Sequence, residues 1–161
     1  MQTESEVPQL KILVFSDSHR SLIGMYRAID QHKPHQVIHL GDLEQDIEEV
    51  AEHYPQLPFC TVPGNCDGWT TAPLKKQITL ERVSILLSHG HLWGVKGGYS
   101  RAIADARACV ADILLFGHTH QALCQRLEDG LWMMNPGPSR SSYGLILLEE
   151  GSVSCAIHPQ D

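Results

Sequence analysis

Nearly every strand-like run in this chain stops at a short loop that carries Asp, Asn or His, in four cases beside a glycine. The run Leu10–Phe15 is closed by "SDSHR", and "QVIHL" leads straight into "GD". "PFCTV" ends at "PGNCD", Val83–Ser88 at "HGH", and residues 112–116 at "GHTHQ". Helix-spaced apolar or amphipathic stretches lie between the runs. Leu22, Tyr26 and Ile29 recur before Pro34, Glu44–His53 forms an acidic helix candidate, and Ala102, Ile103, Ala106 and Val110 mark a third. Residues 76–80 and 83–88 read as a hairpin turning at Glu81-Arg82. The C-terminal third is strand-rich, with turns at Asp129-Gly130 and Glu150-Gly151. Strand–helix alternation followed by hairpins confines the chain to a layered α/β fold: two sheets packed face to face with helices outside, a layered αββα sandwich.

A chain of 161 residues suffices for one domain with a substantial core. Residues 1–9 read as a flexible N-terminal segment and residues 10–161 as a single domain. The polar start "MQTESEVPQ" lacks the basic and apolar regions of a signal peptide, and no run reaches membrane-spanning length. A cytoplasmic location with no membrane partner is expected. Five cysteines, odd in number and without C-x-x-C spacing, fit reduced thiols. A net charge of −7, with no Lys/Arg run longer than Lys75-Lys76, argues against general nucleic-acid binding. The carboxylate excess reads as a solvated surface, and that reading covers residues 44–52.

Ten histidines in 161 residues would give roughly 0.6 His-x-His pairs by chance, so "GHTH" alone carries little weight. The conjunction of five loops carries much more. In layered α/β folds, loops at the carboxyl ends of strands converge on one sheet edge. An extended backbone points residues i and i+2 to the same side, so Asp17/His19 and His118/His120 could each present two ligand atoms to one place. Carboxylate and amide oxygens mixed with imidazole suit a pair of divalent ions such as Mn²⁺, Fe, Zn²⁺ or Ni²⁺. Two such ions about 3.5–4 Å apart can activate a hydroxide and hold a phosphoryl group for in-line displacement. Asp42, the acid beside glycine in its loop, is the candidate bridging carboxylate.

Taken in order, "DSH", "GD", "GNCD", "HGH" and "GHTH" resemble the motif set of the calcineurin-like metallophosphoesterases. "SHGHLWGVK" and "MNPG" are most similar to the compact YfcE-type phosphodiesterases. The resemblance spans roughly residues 10–158 and implies a double β-sheet sandwich flanked by helices. It places Asp17, His19 and His120 on one metal ion and Asn65, His89 and His118 on a second, with Asp42 between them. Manganese is the first expectation, with nickel, iron or zinc as alternatives. The implied activity is hydrolysis of phosphodiesters or reactive phosphomonoesters by a metal-bridging hydroxide, on a small phosphate-ester substrate. A homo-oligomer is compatible with the family. One departure stands out: many members carry His after the Asn of "GN", where this chain has Cys66, a poor replacement in general acid catalysis. His91 is the candidate to supply that proton, and Asp67 the candidate to orient a ligand or water.

Blander roles compete for several positions. Asp17 and Asp42 could be helix caps or turn formers, and His39, inside a strand run, reads as a hydrogen-bonded structural residue. His32, His35, His53 and His158 read as surface residues. Arg20 and Lys96 are candidate phosphate contacts, with plain exposed charge as the alternative. Ser139 and Arg140 are candidate pocket residues, with a plain turn the simpler alternative, and Trp69 and Trp93 are candidate cleft walls, with core packing or a subunit contact equally good explanations. At the level of the whole chain, the main alternative is a non-catalytic scaffold of the same fold serving protein–protein binding, as in the retromer complex. A degenerate ligand set would mark such a protein, whereas all seven ligand positions here carry competent side chains. A metal-dependent exonuclease is disfavoured by the acidic charge.

Overall fold

The computed structural model describes residues 9–42, 44–67 and 72–160. The expectations for residues 1–8 and for Trp69 lie outside the described residues. The first sheet is built on β1 (Leu10–Phe15). It pairs in parallel with β2 (Gln36–His39), which pairs in parallel with β3 (Phe59–Thr61). Parallel neighbours need crossovers. These are α1 (Ile23–His32) and α2 (Glu44–His53). α1 stops at Lys33, which turns left-handed at φ 50° and returns its amide to Ile29, just before Pro34.

The second sheet opens with the hairpin β4 (Lys75–Leu80) and β5 (Val83–Ser88), followed by α3 (Ser100–Ala108) and β6 (Ile113–Leu115). Glu81 and Arg82 both hold positive φ, 49° and 69°, as a two-residue hairpin turn requires. β7 (Leu123–Arg126) and β8 (Trp132–Asn135) complete this sheet in the order β4-β5-β6-β8-β7. The chain then returns to the first sheet with β9 (Ser142–Glu149) and β10 (Ser152–Pro159), giving β10-β9-β1-β2-β3. Both sheets are mixed, each with parallel and antiparallel pairs.

Alternation along single strands creates the layers. Ile12 and Val14 of β1 face the second sheet and meet Ile113 and Leu115 of β6 in the inter-sheet core. Leu13 and Phe15 face the other way, onto Met25, Ala28 and Ile29 of α1 and Ile47 and Val50 of α2. Leu114 and Phe116 do the same on the far side, against Ala102 and Ala106 of α3 and against Trp93. The result is a helix–sheet–sheet–helix sandwich.

Three local expectations are corrected. Val110 is not part of α3: it sits past the C-cap at φ 58° and is 79 % exposed, because the helix closes with the Ala111 amide on Ala106. Trp93 packs in the core, with its indole N–H donating to Asp105 at 2.9 Å, so it walls no cleft. Residues 44–52 are not uniformly solvated either, since Asp46 is fully buried. No helix among the described residues is long and apolar enough to cross a membrane.

Candidate metal centre

The loops after β1, β2, β3, β5 and β6 meet where the two sheets abut, stitched by bonds across the seam. Within the second sheet the Gly117 amide donates to the His89 carbonyl at 2.8 Å, and across the seam His89 Nδ1 donates to the Leu40 carbonyl at 2.8 Å. Asp17 Oδ2 accepts the Ser16 hydroxyl at 2.6 Å and the His118 amide at 3.2 Å. Its other oxygen, Oδ1, is buried and has no hydrogen-bond partner among the described residues. Three imidazoles face that oxygen: His120 Nε2 at 3.2 Å, His89 Nε2 at 3.7 Å and His19 Nε2 at 4.0 Å.

Asp42 stands opposite. Its Oδ1 accepts the Cys66 amide at 2.8 Å, and its Oδ2 lies 3.4 Å from His89 Nε2 and 3.9 Å from His19 Nε2. Two donor groups result, Asp17/His19/His120 and Asp17/Asp42/His89, with the donor atoms of each group within 4.8 Å of one another. His118 lies beside the second group, its Nδ1 3.2 Å from His89 Nε2. Asn65 lies in the exposed turn next to Cys66, whose amide holds Asp42. The structure therefore gathers Asp17, His19, Asp42, His89, His118 and His120, and sets Asn65 on the adjoining turn.

The route to this convergence differs from the sequence expectation. Asp17, His19, Asp42, His118 and His120 are not extended; they adopt positive φ of 54°, 43°, 50°, 71° and 62°. Left-handed backbone costs a non-glycine residue roughly 1–2 kcal/mol, so the surrounding bonds must hold these loops. Close approach also demands small neighbours. A Cβ on Gly64 would overlap Asp42 Oδ1, and one on Gly117 would overlap the Ser16 hydroxyl.

Electrostatics follow from the packing. Burial works against the charge on Asp42, but the His89 hydrogen bond and charge and the Cys66 amide outweigh it, so the carboxyl is held well below its usual range. Burial likewise opposes charge on His89, yet Asp42 and Asp17 carry its pKa above the ordinary value. His91 and His118 are pushed down, by burial first and then by His89. With Nδ1–H committed to the Leu40 carbonyl, Nε2 is the nitrogen that faces both carboxylates: protonated it donates to them, and its lone pair serves a cation only once that proton is lost.

His91 opens a short 3-10 turn, His91–Trp93. Its ring centre lies 5.6 Å from that of His89 and 6.1 Å from that of His118, and its Nδ1 is buried without a partner among the described residues. Asp67 Oδ2 accepts the amides of Gly64 at 2.6 Å and Asp42 at 3.0 Å, so it orients the Asp42 loop. Arg20 is engaged by Asp46 at 3.0 Å, which accounts for its position without a substrate. His39 is structural, fully buried, with its pKa lowered to about 4 by burial. Ser139 is buried and Arg140 exposed. A separate apolar groove of about 560 Å³, lined by residues including Ile29, Tyr54 and Leu57, lies near the starts of β2 and β3, away from these ligands.

Sequence reasoning missed two supports. Asn135, from "MNPG", donates to the Gly117 carbonyl at 3.1 Å and the Thr119 hydroxyl at 2.9 Å, bracing the "GHTH" loop. Asp46 lies beneath the "SDSHR" loop, accepting from Ser18 and Arg20. Its helical phase with Ile47 and Val50 was the signal available.

Residues 10–146 match the calcineurin-like phosphoesterase superfamily domain. The chain is 31 % identical to a probable metallophosphoesterase, YsnB, of Bacillus subtilis strain 168, over 94 % of this chain and 92 % of that protein. The fold is shared with a predicted phosphoesterase from Streptococcus pneumoniae TIGR4, with a TM-score of 0.77 and 23 % identity over 96 % of this chain and 91 % of that one. It is also shared with vacuolar protein sorting protein 29 of Entamoeba histolytica, solved in complex with Zn²⁺. There the TM-score is 0.72, with 21 % identity over 93 % of this chain and 99 % of that one. This chain belongs to the calcineurin-like phosphoesterase superfamily. That family implies divalent metal ions, and both candidate donor groups offer the oxygen and imidazole ligands such ions take.

Proposed function

We propose that this chain is a dinuclear metal-dependent phosphoesterase that hydrolyses phosphodiesters, with reactive phosphomonoesters as a second substrate class. The observation that carries this reading is Asp17 Oδ1, a buried carboxylate oxygen with no hydrogen bond and three imidazole nitrogens within 4.0 Å. A buried anionic oxygen left without a donor is costly. A cation at that point relieves the cost and uses the imidazole lone pairs.

Asp17, His19 and His120 would hold one ion and Asn65, His89 and His118 the other, with Asp42 between them and manganese the first choice of metal. When bound, such a pair supplies an activated water at neutral pH and charge stabilisation at the phosphoryl oxygens. The chain's own groups do the rest. The Leu40 carbonyl fixes the His89 tautomer, and Asp67 holds the amide of Asp42. His91, beside His89 and His118, is the group proposed to protonate the leaving oxygen. Cys66 is not: its thiol pKa is pushed up, first by its hydrogen bond to Asp42, which makes it a still weaker proton donor.

The likeness to a vacuolar sorting protein favours a second reading, a scaffold of the same fold. The two separate on one experiment. Metal-stripped protein is given Mn²⁺, Ni²⁺, Zn²⁺ or Mg²⁺ singly and assayed on a chromogenic phosphodiester and its monoester counterpart, with Asp42→Ala alongside. Diester turnover restored by metal and absent in Asp42→Ala supports the enzyme. Two ions bound per chain with no turnover under any metal supports the scaffold.

A further inference from the structure

We infer that Asp46 is a positioning residue for the metal centre, acting through a buried hydrogen-bond chain that couples the Asp17/His19 loop to the Asp42 loop. The inference rests on the metal-binding reading above. Asp46 itself joins neither donor group.

The chain can be followed donor by donor. Asp46 Oδ2 accepts the Arg20 amide at 2.6 Å and the Ser18 hydroxyl at 2.8 Å, while Oδ1 accepts Arg20 Nη1 at 3.0 Å. These donors bracket His19. Ser18 has one proton and gives it to Asp46, so at its 3.1 Å contact with His39 Nε2 it must accept. That places the His39 proton on Nε2 and leaves Nδ1 as acceptor, where the Gly41 amide donates at 3.1 Å. Protons therefore point one way, from Gly41 through His39 and Ser18 to the Asp46 carboxylate. Gly41 precedes Asp42, and Ser18 follows Asp17.

Ser18, His39 and Asp46 are 1 %, 0 % and 0 % exposed, so water does not substitute for any link. Both loops they tie depart from ordinary backbone, with positive φ at Asp17, His19, Arg20 and Asp42. Among the described residues the direct backbone ties between these loops are the Asp17 amide on the Gly41 carbonyl at 2.8 Å and a long 3.4 Å contact from the His19 amide to the Asp42 carbonyl. The second is too weak to set the His19 ring. Asp46 supplies what is missing, gripping the backbone on the far side of His19.

Asp46→Asn keeps the shape and one acceptor oxygen, but it removes the negative charge at which the chain ends and sets an N–H₂ against donors, at Arg20 Nη1 or at Ser18 and the Arg20 amide. Groups that orient ligands in this way typically control metal affinity by about 10–100-fold. The test uses the full-length chain, stripped and titrated with Co²⁺ by visible absorption, with kcat and KM on the phosphodiester at saturating metal and the Tm of the metal-free protein. Asp46→Asn is expected to weaken the tighter Co²⁺ site about 10–100-fold, to change the visible band, and to lower kcat with KM near wild type. Ser18→Ala, which cuts the chain without adding donors, should move affinity the same way by a smaller factor and carries the test if Asp46→Asn does not fold. Co²⁺ affinity within threefold of wild type, with an unchanged band, in the folded variants overturns the inference. Wild-type protein that binds no Co²⁺ overturns the metal-binding reading instead.

Discussion

His89 Nδ1 lies 2.8 Å from the carbonyl oxygen of Leu40, a hydrogen bond that runs from the end of β5 in one sheet to the end of β2 in the other. One bond thus fastens the sheets and chooses the nitrogen left for a metal. His89→Ala should cost both functions. Stability is expected to fall by about 1–3 kcal/mol as the buried carbonyl loses its donor, and one ion per chain should be lost. Urea unfolding and metal analysis of dialysed protein read the two effects separately. Full retention of both ions would remove His89 from the ligand set.

Gly64→Ala tests the close approach of the loop after β3. The added methyl would overlap Asp42 Oδ1 and crowd the Asp42 amide, and neither can retreat without moving the carboxylate. We expect about 1–3 kcal/mol of destabilisation together with lost diesterase activity. An Ala variant with wild-type turnover would show that Asp42 does not need its observed position.

A pH effect follows from His39. Burial lowers its pKa from 6.5 to about 4, against smaller opposing effects of Asp67, Asp17 and Asp46. The folded state therefore keeps His39 neutral while the unfolded chain takes up a proton. Between pH 6.5 and about 4 the unfolded state binds more protons, so stability is lost as pH falls through that window. The full loss is on the order of 3 kcal/mol. Urea unfolding of metal-free protein at several pH values should show this slope, and His39→Asn should flatten it.

Asn135→Ala should loosen the "GHTH" loop without touching a ligand atom. It removes both donors from the Gly117 carbonyl and the Thr119 hydroxyl, and the acceptor of the Gly137 amide at 2.9 Å. A loss of about 1–3 kcal/mol is expected, with weaker metal binding that excess metal restores. Unchanged metal affinity alongside a lowered Tm would reduce Asn135 to a purely structural role.

What the sequence reveals and what it hides divide along a physical line. Local signals place the helices well: Pro34 and the apolar spacing of Leu22, Tyr26 and Ile29 mark α1, and Glu44–His53 is a helix over its stated span. The candidate ligand residues are visible because Asp, Asn and His recur together at five strand ends, a conjunction that no single loop would supply. The backbone that gathers them is not, since positive φ at Asp17 or His118 is imposed by neighbours distant in sequence rather than by residue type. Asp46 is hidden for a related reason. Among acidic neighbours its burial shows only in its phase with Ile47 and Val50. Trp93 looked equally suited to a cleft or a core until Asp105 gave its indole a partner.

The bond between the His118 amide and Asp17 spans 101 positions of sequence. A nascent chain would have Asp17, His19 and Asp42 in place long before "GHTH" was synthesised, and β9, the partner of β1, comes later still. Contacts of such long range form slowly. During synthesis the early acidic and imidazole groups would therefore stand as an open half-site, and completion of the centre would report that nearly the whole chain had folded.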